Sequence, residues 1–417
     1  MSKKTIWILN QYAVTPDLSG GTRHYDLGQQ LIHKGYEVII FASSFHYARF
    51  MDFKLSASEK WKKERIDNIH FVWLKTCPYK KNNWKRYVNM LSFMIRSYLL
   101  GRKIPNSETS IPKPDIIIGS SVHLLSVLSA YWLAKVYKAR FIMEVRDLWP
   151  QALIDMGKMK ENSPVARFLK TLEKFLYQKA DKIAVVPPYA ADYIQALGIE
   201  GKKIHWIPNG VNVRKFDIQN TSVTDKNVFV VMYVGTHGET NGLELLLQAA
   251  EILKDMEKNR IQFHLVGDGP EKTRLQEIKN DSDLNNVFFF DPVPKKDIPQ
   301  VLDRADVLIH VEKDIPNLTN YGSSPNKFYD YMAAGKPLIV CSQFITDRID
   351  KIGAGIHLSR NHPQELTEAI LHLYNLSQEK RQDMGRRAKD YVCKNFDIEI
   401  IAQRLINNVF NSRDLEG

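Results

Sequence analysis

The chain has 417 residues, 44% hydrophobic and 25% charged, enough for two full cores and too apolar for a disordered chain. Cys77, Cys341 and Cys393 form no CxxC pair and suit a reducing cytoplasm; no window of about 18 apolar residues predicts a membrane span, and MSKKTIWILN lacks a signal-peptide cleavage pattern. The net charge of +11 is lopsided: residues 1–215 carry 34 Lys+Arg against 17 Asp+Glu, and the remainder 24 against 30.

In chain order, TIWILN, YEVIIFAS, DNIHFVWLKT, PDIIIGSS, ARFIMEV, DKIAVVP and KIHWIP read as strands. RHYDLGQQLIHKG, WKRYVNMLSFMIRSYLL, VHLLSVLSAYWLAKVYK and SPVARFLKTLEKFLYQKA read as helices between them. Pro208-Asn209-Gly210 breaks the rhythm, and the polar stretch DIQNTSVTDKN is a candidate linker. The alternation restarts with VFVVMYVG, followed by NGLELLLQAAEILKDM, IQFHLVG, EKTRLQEIKN, NVFFF, KDIPQVLDRA, DVLIHV, NKFYDYMAAG and KPLIVCS. Late helices are predicted over 362–376, 378–395 and 397–412. Short apolar strands alternating with amphipathic helices predict an α/β protein of two doubly wound Rossmann-like domains facing a central cleft. The expected limits are 1–215, 216–395 and a C-terminal helix, 396–417, crossing back to the first domain.

Residues between Asp67 and Glu108 include no acid, while Lys80, Lys81, Lys85 and Arg86 lie among Trp73, Tyr79, Trp84 and Tyr87. This composition suits an anionic membrane surface, a polyphosphate or nucleic acid; a solvated basic surface over a core is the plain alternative. Trp84, Tyr87, Val88, Leu91, Met94, Ile95, Tyr98 and Leu99 share one helical face, with Met90 and Phe93 off it. That face fits either a core contact or a membrane-leaning helix.

Several strand ends carry residues able to do chemistry. Gly20-Gly21 after the first strand, and Gly235-Thr236-His237-Gly238 with Asn241-Gly242 after the first strand of the second half, are turns whose backbone N–H groups can cradle phosphate. Ordinary tight turns explain them equally. Gly267-Asp268-Gly269 and Pro292-Val293-Pro294 end later strands and can offer backbone groups to a base. In Ser324-Pro325-Asn326-Lys327-Phe328-Tyr329-Asp330, Ser324 is the expected N-cap with Pro325 at N1. Lys327 at that helix start suits a diphosphate and Asp330 a ribose; a surface Lys–Asp pair is the alternative. Glu144-Val145-Arg146-Asp147 ends a strand of the first half, where Arg146 suits an anionic group or an ion pair with Asp147. His123 follows Ser120-Ser121 as a polar contact, a proton shuttle or a helix-cap neighbour. HExxH, GxSxG, GxxxxGK[ST] and EF-hand patterns do not occur, which disfavours zincins, α/β-hydrolases and P-loop NTPases.

Seven segments in order carry a family resemblance: SSVHLLSVLSAYWLA, EVRDLWPQALIDMG, IPNGVNVRKF, YVGTHGETNGLELLLQAA, HLVGDGPEKTRLQE, DPVPKKDIPQVLDRADVLI and SPNKFYDYMAAGKPLIV. Together they resemble the family 4 retaining GT-B glycosyltransferases over nearly the whole chain. RDLWP and SPNKFYDYMAAG resemble the bacterial L-fucosamine (FucNAc) transferase-like branch of surface-polysaccharide synthesis.

The resemblance implies that Gly20 and Gly21 abut the donor diphosphate and sugar, and that Thr236, His237, Gly238 and Asn241 line the phosphate site. It implies that Gly267 and Gly269 shape the nucleotide pocket, Val293 meets the base, Asn326 and Lys327 hold the diphosphate and Asp330 the ribose. His123, Arg146 and Asp147 would face the transferred sugar and acceptor; with Lys327 they form the expected catalytic group.

Three departures from the family stand out. Gly322 and Asp330 replace two glutamates, Thr236 and Asn241 replace a basic pair, and Ser120 replaces a sugar-side histidine. The implied reaction transfers an N-acetylated amino or deoxyamino sugar from a UDP-sugar, with retention and without a metal or other cofactor. The implied acceptor is a polyprenyl-diphosphate-linked glycan at the inner membrane face, for capsule or O-antigen. The chain would then be cytoplasmic and peripheral to the membrane, without nucleic acid as partner. A GT-B sugar-nucleotide epimerase and a non-enzymatic polyanion-binding protein are the competing readings.

Overall fold

The computed structural model describes residues 3–46, 49–80, 83–106, 111–217, 227–313, 315, 321–343 and 349–411. Lys81 and residues 218–226 of the expected linker lie outside the described residues. The chain divides into two compact units, one of Met1–Thr15, Gly21–Pro208 and Ile401–Gly417, the other of Pro16–Gly20 and Asn209–Ile400.

The first unit contains β1 (Thr5–Leu9), α1 (Arg23–His33), β2 (Glu37–Ser43), the short pair β3 (Phe45–His46) and β4 (Met51–Asp52), β5 (Trp61–Ile66) and β6 (Ile69–Leu74). It continues with α2 (Trp84–Gly101), β7 (Ile116–Ser120), α3 (Leu124–Tyr137), β8 (Arg140–Val145), α4 (Gln151–Asp155), α5 (Pro164–Lys179), β9 (Lys182–Val185), α6 (Ala190–Ala196) and β10 (Ile204–Trp206). Its eight-stranded sheet runs β10-β9-β8-β7-β1-β2-β6-β5. Every pair is parallel except β5 on β6. The seven strands read from sequence are all present. β5, WKKERI, was not foreseen because its charged residues fit an exposed edge rather than a buried run.

In the second unit lie β11 (Phe229–Val234), α7 (Glu244–Asp255), β12 (Ile261–Val266), α8 (Lys272–Asp281), β13 (Val287–Phe290), α9 (Ile298–Asp303) and β14 (Val307–Val311). Then follow α10 (Asn326–Ala333), β15 (Leu338–Cys341), β16 (Gly355–Leu358), α11 (Pro363–Asn375) and α12 (Gln378–Asn395). Its sheet, β13-β12-β11-β14-β15-β16, is wholly parallel. The core fills from strands and helices alike: Tyr233, Leu246, Phe263, Ile309 and Ile370 are all buried in one cluster. Within each unit, the parallel strands therefore gather their C-termini along one edge of that unit's own sheet, where α/β proteins place ligands. After α13 (Ile398–Leu405), Ile406–Phe410 forms a π-helical turn. There the Arg140 guanidinium of the first unit donates to the carbonyls of Val409, at 3.1 Å, and Phe410.

α2 inverts the expected relation between periodicity and burial. Met90, Phe93, Met94, Ser97 and Gly101 face inward. Ser97 Oγ donates to Ser129 Oγ at 3.0 Å, and a Cβ on Gly101 would stand 2.8 Å from the Leu133 side chain. Apart from Met94, the regular apolar stripe faces outward instead, with Trp84 67%, Tyr87 51% and Leu99 51% exposed. Close packing against α3 selected small and irregular residues, so the cleaner stripe marks the outer face.

Candidate functional site

In the second unit the site begins at the first turn of α10. Pro325, not Ser324, is the N-cap, and Asn326 is the first helical residue. The Ser324 hydroxyl is taken up elsewhere, meeting the Tyr329 hydroxyl at 2.8 Å and accepting from the Asn209 N–H at 3.2 Å. Among the described residues no side chain caps α10, which leaves its first N–H groups and positive dipole end to act on an anion.

Lys327 projects from this turn under the β11 loop. Its ammonium donates to Tyr233 Oη at 2.9 Å and to Asn241 Oδ1, and lies 4.6 Å from the Tyr233 ring centroid. Asn241 in turn donates to the Thr236 carbonyl at 3.0 Å. Burial pulls the Lys327 pKa down to about 8, against the opposing pull of Glu312. The site thus holds a cation that is largely charged near neutrality. Asp330 does not pair with Lys327; it forms an ion pair with Lys295, and neither side chain is highly exposed.

The glycines permit close backbone approach. A Cβ on Gly267 would stand 1.9 Å from the Gly235 carbonyl oxygen, and one on Gly269 would stand 2.3 Å from that of His237. A Cβ on Gly235 would meet Tyr233 Oη and the Lys327 stem. Bulkier residues would push the β11 and β12 loops apart. His237 donates its backbone N–H to the Asp268 carbonyl at 2.9 Å. Its ring is fully buried, with neither nitrogen hydrogen-bonded, and burial pulls its pKa down to about 4. Thr236 is exposed, Gly238 and Val293 half-buried.

Sequence reasoning passed over Glu312, which immediately follows β14. Ser323 and Ser342 donate to its carboxylate at 2.9 and 2.7 Å, and His310 lies 3.4 Å away. Burial favours protonation, but His310, the Ser342 hydrogen bond and Lys327 together hold its pKa at about 2. A charged residue directly after the apolar run VLIHV was the available signal.

In the first unit the corresponding strand ends are filled by protein. Glu144 accepts from Arg23 Nε at 2.9 Å and from Ser120 Oγ at 2.8 Å, and meets His24 Nε2 at 2.7 Å. Burial alone would raise its pKa; His24 and Arg23 hold it well below the usual range. Arg23 also donates to the Pro208 and Ile207 carbonyls at 2.6 and 2.9 Å, which ties the IPNG turn to α1. The structure thus pairs Glu144 with Arg23, whereas Arg146 and Asp147 form no ion pair among the described residues; Arg146 is half-buried and Asp147 exposed. Gly21 leads into α1, and Gly20 takes φ +131°.

His123 caps α3: its Nδ1 accepts from the Ser126 N–H at 3.1 Å. That contact leaves the proton on Nε2, which donates to Gln11 Oε1 at 2.6 Å. Burial, with a smaller contribution from Arg86, pulls its pKa to about 3. The ring is neutral at physiological pH. Among the described residues, no three His, Cys, Asp or Glu side chains group to hold a metal, and no helix is long and apolar enough to cross a membrane.

Comparison with known proteins finds two family models, one after the other along the chain. Residues 20–215 match the model of Glycosyltransferase Family 4, and residues 214–391 that of Glycosyl transferases group 1. A protein of Escherichia coli named for a role as colanic acid biosynthesis glycosyl transferase is 23% identical over 80% of this chain and 82% of its own length. Among solved structures, sucrose-phosphate synthase of Thermosynechococcus elongatus superposes with a TM-score of 0.71 at 15% identity, covering 97% of each chain. HepE of Anabaena, solved in complex with UDP and glucose, gives 0.68 at 15% identity, covering 98% of this chain and 100% of its own. With family 4 matched by its first half, group 1 by its second and a Rossmann-like sheet in each, the chain has the GT-B fold and matches glycosyltransferase families in both halves.

Proposed function

We propose that this glycosyltransferase moves an N-acetylated amino or deoxyamino sugar from a UDP-sugar to a polyprenyl-diphosphate-linked glycan, in the synthesis of a surface polysaccharide such as capsule or O-antigen. The second unit takes the donor and the first the acceptor. The observation that carries this reading is Lys327, set in the uncapped first turn of α10 beside Asn241 and Tyr233. A glycosidic bond to diphosphate breaks with negative charge developing on the leaving oxygen, and a fixed ammonium and helix dipole stabilise that charge. On this reading Asn326 joins Lys327 on the diphosphate, Asp330 takes the ribose, Val293 the base, and Gly20, Gly21, Thr236, His237 and Gly238 keep the phosphate and sugar roles that the resemblance implies. His123, Arg146 and Asp147 serve the transferred sugar and acceptor. The E. coli relative's name and the UDP bound by HepE support the polysaccharide and UDP parts.

Retention follows if the acceptor oxygen bonds to the anomeric carbon on the face the diphosphate leaves. The acceptor's hydroxyl proton then passes to the departing phosphate oxygen. The charge assigned here to Lys327 and α10 makes a metal unnecessary. Thermal-shift titration with UDP, GDP and dTDP tests the donor: a selective nucleotide stabilises by RT ln(1+[L]/Kd), and UDP is expected to stand apart. Equal shifts for all three would remove the UDP assignment.

The outer face of α2, with exposed Lys80 and Lys85 nearby, supports peripheral attachment to the inner leaflet at ~1 kcal/mol per basic residue near an anionic surface. Reversing Lys80, Lys81 and Lys85 should reduce sedimentation with anionic vesicles; unchanged sedimentation would remove the membrane reading.

A further inference from the structure

Arg86 does not belong with the solvent-facing cations around it. It stands at the head of the inward face of α2, the face continued by Asn89, Met90 and Phe93. Its side chain is half-buried, and its Nε is buried without a hydrogen-bond partner. No carboxylate pairs with it among the described residues, and the sequence has no acid between Asp67 and Glu108. The guanidinium and the Tyr79 hydroxyl lie against the Tyr12 hydroxyl. Tyr79 is fixed by Phe45, at 4.9 Å between ring centroids, and Tyr12 stands 6.3 Å from His123. His123 is neutral and offers no countercharge. Arg86 therefore brings an uncompensated, forked donor to the strand ends of the first unit, and such a fork matches a phosphate or carboxylate.

We propose that Arg86, with the hydroxyls of Tyr12 and Tyr79, binds the diphosphate of the acceptor. This rests on the glycosyltransferase reading above and names the anchor of its acceptor. The outer face of the same helix is apolar, which favours a diphosphate borne on a lipid over the carboxylate of an acidic sugar.

The test uses the full chain with UDP saturating, so that the nucleotide site is occupied. Inorganic pyrophosphate and glucuronate are titrated calorimetrically into wild type, Arg86→Met and Arg86→Lys. Pyrophosphate is expected to bind wild type, to weaken at least tenfold with Arg86→Met, and to recover in part with Arg86→Lys, which restores charge without the fork. UDP affinity should be equal in all three. Should Arg86→Met fail to fold, phenylglyoxal labelling of wild type provides the second measurement: pyrophosphate should protect Arg86 in the peptide map.

Pyrophosphate binding that ignores Arg86, absence of binding to UDP-loaded wild type, or Arg86-dependent binding of glucuronate alone would each overturn the proposal. So would loss of pelleting with phosphatidylcholine–phosphatidylglycerol vesicles in Arg86→Met while pyrophosphate binding persists, since Arg86 would then serve the bilayer. Failure of UDP itself to bind would indict the donor reading instead, and protection by pyrophosphate would still report on Arg86.

Discussion

Glu144, buried, and Glu312, half-buried, are both carboxylates at the C-terminal edge of a parallel strand, yet they sit in opposite settings. Glu144 is surrounded by Arg23, His24 and Ser120, and each nearby donor is used to join α1, β7 and β8. Glu312 is held by two serines, while the cation nearby, Lys327, is fixed among the described residues by a phenol and an amide. The first arrangement neutralises charge within the protein. The second keeps an ammonium short of a direct anionic partner beside an uncapped helix start. A charge at a strand end thus signals ligand chemistry only when its countercharge is not already supplied.

The largest effect should follow from Glu144→Ala, which strands the buried Arg23. Removing one partner of a buried ion pair costs about 3–5 kcal/mol. Chemical denaturation should show the loss in the first unit, with UDP binding in the second intact. Wild-type stability, with transfer abolished, would make Glu144 a substrate contact and erase the contrast.

Next comes Gly267→Ala. Its Cβ would collide with the Gly235 carbonyl, and the displaced loop should cost about 1–3 kcal/mol in stability and weaken UDP in a titration. A third effect, visible only as a pH dependence, concerns Glu173, whose carboxyl accepts from Tyr177 and Tyr193 at 3.0 Å each. Burial pushes its pKa up to about 8. Between the unfolded value near 4.5 and 8 the folded state holds the extra proton, so stability falls as pH rises through that window. Glu173→Gln should raise Tm progressively more from pH 5 to pH 8, by roughly 2–4 °C per kcal/mol recovered. A constant gap would refute the buried-proton account.

Much of the fold was legible because apolar runs of parallel-sheet length are rare outside buried strands. The edge strand β5 and the short strand β16 escaped for want of that signature. In the site, glycines that allow backbone crossing and a lysine at a helix start could be read locally. The partners Tyr233, Glu312 and Lys295 could not, because they arrive from other strands and loops. Periodicity left α2 open between a core contact and an outward face for the same reason: a helix packed through Ser97 and Gly101 hides its inward face from hydrophobic counting.

The most direct test of the central claim, that Lys327 binds the donor diphosphate, is a calorimetric UDP titration of wild type and Lys327→Met at pH 7, with wild type repeated at pH 9. Losing a charge-assisted hydrogen bond worth about 1.5–3 kcal/mol should weaken UDP roughly 10- to 100-fold, and wild-type affinity should fall as the lysine deprotonates above about pH 8. Equal affinities for the two proteins at pH 7 would contradict the account.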